Sequence, residues 1–173
     1  ETPNGTVTAL SFLPGQHLKG IPSPDLAASI GRHLASMHEA IRSAGLDVGA
    51  AWDVKRFRHL WEQVCKELIF PDETAEFAES ALAGFQSVEA TARVAPDLWG
   101  VIHSDLNASN VIISDSNPGF IDFAEAGPGL FAWDVVMLPF DLWWDHGPNG
   151  NAAGTALILA YVSAGGVKPP SEL

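Results

Sequence analysis

Residues 103–125 read "HSDLNASNVIISDSNPGFIDFAE". Two short apolar runs, "VIIS" and "GFIDF", stand on either side of "DSNP". Apolar, β-branched runs around an Asp-Ser-Asn-Pro cluster predict a strand, a turn and a second strand. His103, Asp105, Asn110 and Asp122 are crowded against those strands. Core strands normally shed such residues into loops, so their placement calls for a chemical reason.

Phosphoryl transfer supplies one. The first half of the stretch is His103-Ser104-Asp105-Leu106, three residues, then Asn110. The protein-kinase catalytic loop reads H-R-D-L-x-x-x-N, and only Ser104 departs from it. Asp122-Phe123-Ala124 follows where a kinase carries D-F-G. This reaction asks a protein for positioning and charge stabilisation rather than covalent work. Asp105 is the candidate to accept or orient the acceptor hydroxyl proton. Asn110 and Asp122 offer an amide and a carboxylate oxygen to Mg²⁺, which prefers hard oxygen ligands and keeps positions for water and phosphate. A hairpin between them brings both toward one metal, and its apolar strands anchor them in the core. His103 reads as a buried organiser of the loop.

Other readings are weaker. An isolated His-x-Asp is common, and these could be loop residues without catalytic meaning. A metal-dependent hydrolase built on His103, Asp105 and Asp122 would need more imidazole ligands, and none of the other five histidines sits in a matching motif. "GPGLFA", Gly127 to Ala132, fits the dinucleotide pattern G-x-G-x-x-A, but Pro128 lies inside it and no second crossover unit follows. Its glycines are expected to shape a turn.

The chain has 173 residues, 47% hydrophobic and 17% charged, enough for one globular domain with a real core. A net charge of −12 argues against a nucleic-acid partner, which needs a basic patch, and permits a cationic small substrate. Cys65 is the single cysteine, so no internal disulfide forms and a reducing cytoplasm fits. No apolar run approaches the ~20 residues of a membrane span.

Upstream, "GTVTALSF" reads as a strand. The best helix runs from Pro24 to Gly45, with Ser23 as N-cap and an apolar stripe of Leu26, Ile30, Leu34, Met37 and Ile41. His33 and His38 lie five apart, off a shared face, which disfavours a metal pair. A second helix is expected over 55–69, with Phe57, Leu60, Trp61, Val64 and Leu68 inward. A third is expected over 73–93, with Asp72 as N-cap and Phe77, Leu82, Phe85 and Val88 inward. A strand "GVIH" precedes the quoted stretch. After it come a helix kinked or broken at Pro139 and a last helix ended by Gly165 and Gly166. The order predicts an α+β fold, mainly helical.

The segment "GVIHSDLNASNVIISDSNPGFIDFAEAGPGLFAWDVV" resembles the signature of the aminoglycoside phosphotransferase / choline kinase family, the small-molecule relatives of protein kinases. The family's loop reads H-G-D-x-x-x-x-N, followed by I-D-[FW], A-G-x-G and an aromatic-Asp pair; here Ser104 replaces the glycine. "ALSFLPGQHL" resembles the family's hinge, and "IGRHLASMHEA" its helix ending in L-x-x-L-H, so the resemblance spans about residues 6–140. "SFLPG", "AAWDVKRF" and "HSDLNASN" lean toward its homoserine kinase and hydroxylysine kinase-like branch.

The resemblance implies a protein-kinase-like C-terminal lobe with a hinge strand over about 5–14 and a helical, catalytic lobe over about 15–173. It implies an ATP- and Mg²⁺-dependent transfer to a hydroxyl of a small molecule: an aminoglycoside, amino alcohol or hydroxy amino acid. Asp105 would be the base, Asn110 and Asp122 the metal ligands, and Ser11, Phe12 and Leu13 the backbone against adenine. Asp134 would bond back to the catalytic loop. A kinase also needs a Gly-rich loop and a strand Lys over the phosphates; neither precedes the hinge, and Lys19 follows it. The expectation is therefore a piece of a two-lobed kinase, inactive by itself, with the N-terminal lobe as its partner. The rival is a non-catalytic kinase-like binding module, which would have no need of Asp105, Asn110 and Asp122. Asp141, Trp143, Trp144 and Asp145 are candidates to line an acceptor pocket, set against packing tryptophans and surface carboxylates.

Overall fold

A computed structural model describes residues 13–46, 48–95 and 97–166. Most of the expected hinge strand, with Ser11 and Phe12, lies outside the described residues. Leu13 and Pro14 are not in a strand, and the first described strand is β1, Gln16–His17. It is followed by α1 (Pro24–Ala44), α2 (Val54–Glu67), α3 (Asp72–Arg93) and β2 (Trp99–Ile102). A 3-10 turn at Ala108–Asn110 leads into β3 (Val111–Ser114) and β4 (Asn117–Phe120). Then come β5 (Gly127–Leu130), α4 (Phe131–His146) and α5 (Asn151–Ser163). The fold is α+β and mainly helical, as the sequence predicts.

The strands form two small antiparallel sheets. In the first, β3 lies between β1 and β4, with His17 opposite Ile112 and Val111 opposite Phe120. The turn of the β3–β4 hairpin is only Asp115–Ser116. Both have positive φ, 48° and 66°, as a two-residue type I′ turn requires. Asn117 and Pro118, expected in the turn, start β4 instead; β4 is an edge strand, where a proline leaves no donor missing from the ladder. In the second sheet β2 pairs with β5, Ile102 opposite Gly127 and Gly100 opposite Gly129. The "GPG" glycines thus build a strand rather than a turn. The reason is close approach: a side chain on Gly127 would meet the Ala50 carbonyl, and one on Gly129 the Ile102 side chain.

The core lies among α1, α4, α5 and the hairpin, where Ile30, Leu34, Leu106, Val111, Leu138 and Leu157 are fully buried. Ser23 caps α1 through its hydroxyl, and Gly45 ends it in a left-handed conformation. The buried face is turned slightly from the large-residue stripe. It runs through Ala27, Ile30, Gly31, Leu34, Ala35 and His38, while Leu26, Met37 and Ile41 flank it half-buried. Small residues are central because α5 presses there. A Cβ on Gly31 would collide with the Leu157 carbonyl, whereas Gly84 on α3 has open space around it. Gly31→Ala is therefore expected to cost roughly 1–3 kcal/mol by overpacking. Gly84→Ala should add up to about 1 kcal/mol through helix propensity. Denaturant titration of the two variants would contradict this packing if the shifts shared a sign.

α2 and α3 form a separate layer, and the inward faces expected for them are only partly inward. Among the described residues α2 buries none; Leu60, Val64 and Leu68 are exposed, and on α3 Phe77 is 74% exposed. The two helices meet chiefly each other and one edge of the core, so each long stripe has less to cover it than its length suggests. Phe57 is the hub, 5.1 Å from Phe85 and 5.0 Å from Trp133 between ring centres. With Trp61, Ala78 and Leu82 these rings line an apolar cleft of about 390 Å³. Asp53 caps α2. The buried Glu89 of α3 accepts from the Val54 N–H at 2.7 Å and from Arg93 at 2.5 Å, tying the layer together. α3 starts at Asp72 itself, with Pro71 at the cap position and no side-chain cap bond. α4 runs through Pro139 unbroken. No described helix is long and apolar enough to cross a membrane.

Candidate active site

The loop after β2 begins with His103 and Ser104, and a single buried carboxylate holds their backbone. Asp134, in the first turn of α4, is fully buried. Its Oδ2 accepts the His103 N–H at 2.7 Å, and its Oδ1 accepts the Ser104 N–H at 2.8 Å. The N-terminal turn of a helix suits a carboxylate electrostatically. His38 Nε2 also reaches Oδ2 at 3.0 Å, and its Nδ1 lies 2.9 Å from the Tyr161 hydroxyl. In the tautomer that suits this arrangement, Nε2–H donates to Asp134 and Nδ1 accepts from Tyr161. One chain of hydrogen bonds thus runs from α5 through α1 and α4 into the loop. The sequence placed His38 at the end of the L-x-x-L-H-like helix but gave neither it nor Tyr161 a part in the site; the signal for His38 was its place four residues after Leu34, on the buried face of α1.

His103 is fully buried. Its Nε2 donates to the Ile121 carbonyl at 2.7 Å, just before Asp122, and its ring lies 4.6 Å from that of Phe123. Ser104 adopts φ 71°, and Asp122 adopts φ 63°. The Ser104 carbonyl accepts Trp133 Nε1–H at 2.9 Å, so the aromatic layer touches the loop through Trp133.

Asp105 follows, with its side chain exposed. Asn107 Nδ2 donates to its Oδ1 at 3.1 Å, and Asn110 Nδ2 to its Oδ2 at 3.1 Å. Asn110 Nδ2 also holds the Asp105 carbonyl at 2.8 Å. Both donor directions of Asn110 are used on Asp105, which leaves its Oδ1 as an acceptor with no partner among the described residues. The Asn110 carbonyl in turn accepts the Ile121 N–H at 3.1 Å, so the backbone of the Asn110 end of the hairpin is joined to the residue before Asp122. Asp122 is exposed, and its carboxylate has no hydrogen-bond partner among the described residues. An amide oxygen and a carboxylate on two joined segments fit a hard divalent cation such as Mg²⁺.

The expected acceptor-pocket residues divide. Asp141 Oδ2 accepts the Ala108 N–H at 2.9 Å and so braces the turn between Asp105 and Asn110. Asp145, Trp143 and Trp144 are exposed on the outer side of α4. Leu13, the one described residue of the predicted adenine contact, packs over Gly119 of β4. With Ile112, Ser114 and Pro118 it lines a cleft of about 250 Å³. Ile112 and Ser114 alternate along β3 with the core-facing Val111 and Ile113.

The homoserine kinase of Sinorhizobium fredii is 30% identical over 164 residues, covering 89% of this chain and 47% of that protein. A homoserine kinase of Rhizobium etli is 34% identical over 160 residues, again 89% and 47%. The chain spans about half the length of the curated relatives it matches. An amicoumacin kinase in complex with AMP-PNP, Ca²⁺ and Ami superposes with a TM-score of 0.65 at 15% identity, over 91% of this chain and 48% of that one. A macrolide 2′-phosphotransferase from Brachybacterium faecium gives 0.60 at 21%, over 92% and 55%. At such identities the likeness speaks for the fold alone, a kinase-like phosphotransferase fold. The pattern that describes the phosphotransferase enzyme family matches residues 4–167, and the chain belongs to that family.

Proposed function

We propose that this chain carries the catalytic loop of an ATP- and Mg²⁺-dependent kinase that transfers the γ-phosphoryl group to a hydroxyl of a small molecule. The observation that carries the reading is the setting of Asp105. Its carboxylate faces solvent, each oxygen has an amide donor, and the backbone before it is clamped by a buried acid. A carboxylate held this way accepts the proton of an incoming hydroxyl and aims its oxygen at the phosphorus. Asn110 Oδ1 and the Asp122 carboxylate are the donors that would hold Mg²⁺. The metal, bound with the nucleotide, supplies neutralisation of charge on the phosphate oxygens. Leu13, with Ser11 and Phe12 before it, would border the nucleotide base beside the hairpin cleft.

The similarity to homoserine kinases supports a hydroxy amino acid or a related amino alcohol as the acceptor. The net charge of −12 permits a substrate bearing an ammonium group. The reaction belongs to the cytoplasm, where ATP is available and the exposed Cys65 stays reduced. A panel of homoserine, ethanolamine, choline and an aminoglycoside, offered to the full-length protein with ATP and Mg²⁺, tests the proposal. A phosphate ester on homoserine or a close analogue is the expected product. ATP binding without phosphorylation of any acceptor would refute it.

A further inference from the structure

Ser104 stands where the family pattern has glycine, and in a left-handed conformation that glycine adopts without strain. Its side chain is buried and bonded: Oγ donates to the Glu125 carbonyl at 2.8 Å. Trp52 Nε1–H donates to that same carbonyl at 2.7 Å. The Glu125 carboxylate is paired with Arg56 at 2.8 Å, and the Arg56 guanidinium lies 3.6 Å from the centre of the Trp52 ring. Glu125 is therefore fixed from two sides, and Ser104 holds on to a fixed point.

Asp122 lies between two ties. On one side His103 Nε2 holds the Ile121 carbonyl; on the other Ser104 Oγ holds the Glu125 carbonyl. Consecutive residues of the base loop thus bracket the segment 122–124. Without the second tie Trp52 and Arg56 would still hold Glu125, but the segment would be hydrogen-bonded to the base loop at its Ile121 end only, and Asp122 makes no side-chain bond of its own among the described residues.

We infer that Ser104 is a positioning residue, whose hydroxyl fixes the Asp122 segment against the Asp105 loop and so sets how well Asp122 meets a metal–nucleotide complex. The inference rests on the kinase reading of the site. A glycine at 104 would satisfy the backbone and lose the tie; the serine accepts a strained backbone and gains it. Partners that orient ligating groups typically govern metal affinity by about 10–100-fold.

The test compares Ser104→Gly with Ser104→Ala in the full-length protein by two readouts; both remove the hydroxyl, and only alanine keeps a Cβ in the left-handed conformation. Amide hydrogen exchange without ligand, at the hydrogen-bonded N–H groups of Ile121 and Ala126 that flank Asp122, should speed up by about tenfold in both variants, as for the loss of one hydrogen bond. Calorimetric titration with Mg²⁺·ATP should weaken by about tenfold or more in both. A glycine variant that binds Mg²⁺·ATP as tightly as wild type overturns the positioning role, whatever its exchange rates. Unchanged exchange overturns the tie itself. A wild-type protein that takes up no Mg²⁺·ATP overturns the kinase reading instead, and the exchange comparison then still decides whether the hydroxyl holds the two loops together.

Discussion

Replacing Asp105 with Asn is expected to lower kcat by roughly 10²–10⁴-fold, the loss typical of a removed general base, while the affinity for Mg²⁺·ATP changes little. The substitution keeps the shape and removes the charge. One carboxylate oxygen becomes an NH₂ group, which then faces the amide donor of Asn107 or Asn110. Asn110 still donates to the backbone carbonyl of residue 105 at 2.8 Å, and that bond alone keeps its Oδ1 aimed as before. The metal donors are thus spared while the proton acceptor is lost. Steady-state kinetics paired with nucleotide titration separates the two effects. Turnover near the wild-type rate would remove Asp105 from the base role.

Asp134→Ala should have the largest effect on stability, a loss of roughly 3–5 kcal/mol, since each buried donor left without a partner costs about 1–3 kcal/mol. Three donors depend on this carboxylate: the N–H groups of His103 and Ser104, and the His38 ring. All three residues are buried, and a buried donor without a partner bears its full desolvation penalty. For a chain of this size the corresponding fall in Tm is roughly 6–20 °C. Asp134→Asn keeps one acceptor oxygen but turns an NH₂ toward a donor, so it should fall between wild type and the alanine variant. Calorimetric melting decides the matter: an alanine variant that melts within about 2 °C of wild type, under 1 kcal/mol, would mean that the loop is held by something else.

The two predictions show where the sequence was legible and where it was not. α1 was readable almost to the residue, because its cap, its proline and its terminal glycine are local signals that need no knowledge of what packs against them. The hairpin was readable because its apolar runs are short and its turn residues distinctive. α2 and α3 were found as helices but their inward faces were overstated. Periodicity tells that a stripe exists, not whether a neighbour covers it, and for Leu60, Val64 and Phe77 the neighbour is missing among the described residues. The glycines after the hairpin were misread for a similar reason: a close approach by the backbone at Ala50 cannot be seen from the strand itself. In the site, Asp105, Asn110 and Asp122 were visible because they lie within 18 consecutive positions. Asp134 came into view only through the family's aromatic-Asp pair, and the bonds made by His38, Trp133 and Tyr161 were not legible, because their partners lie in distant parts of the chain.

That distance has a consequence for the order of events as the protein is made. The bond between His38 and Tyr161 joins positions 123 apart, and the one between His38 and Asp134 joins positions 96 apart. Such contacts close large loops and form late and slowly. On the ribosome, the strands around Asp105 emerge well before the last helix does. A nascent chain can shape its hairpin early, yet it cannot finish the brace behind the catalytic loop until Tyr161 has cleared the exit tunnel. Translation past that residue sets the earliest moment at which the site can be whole.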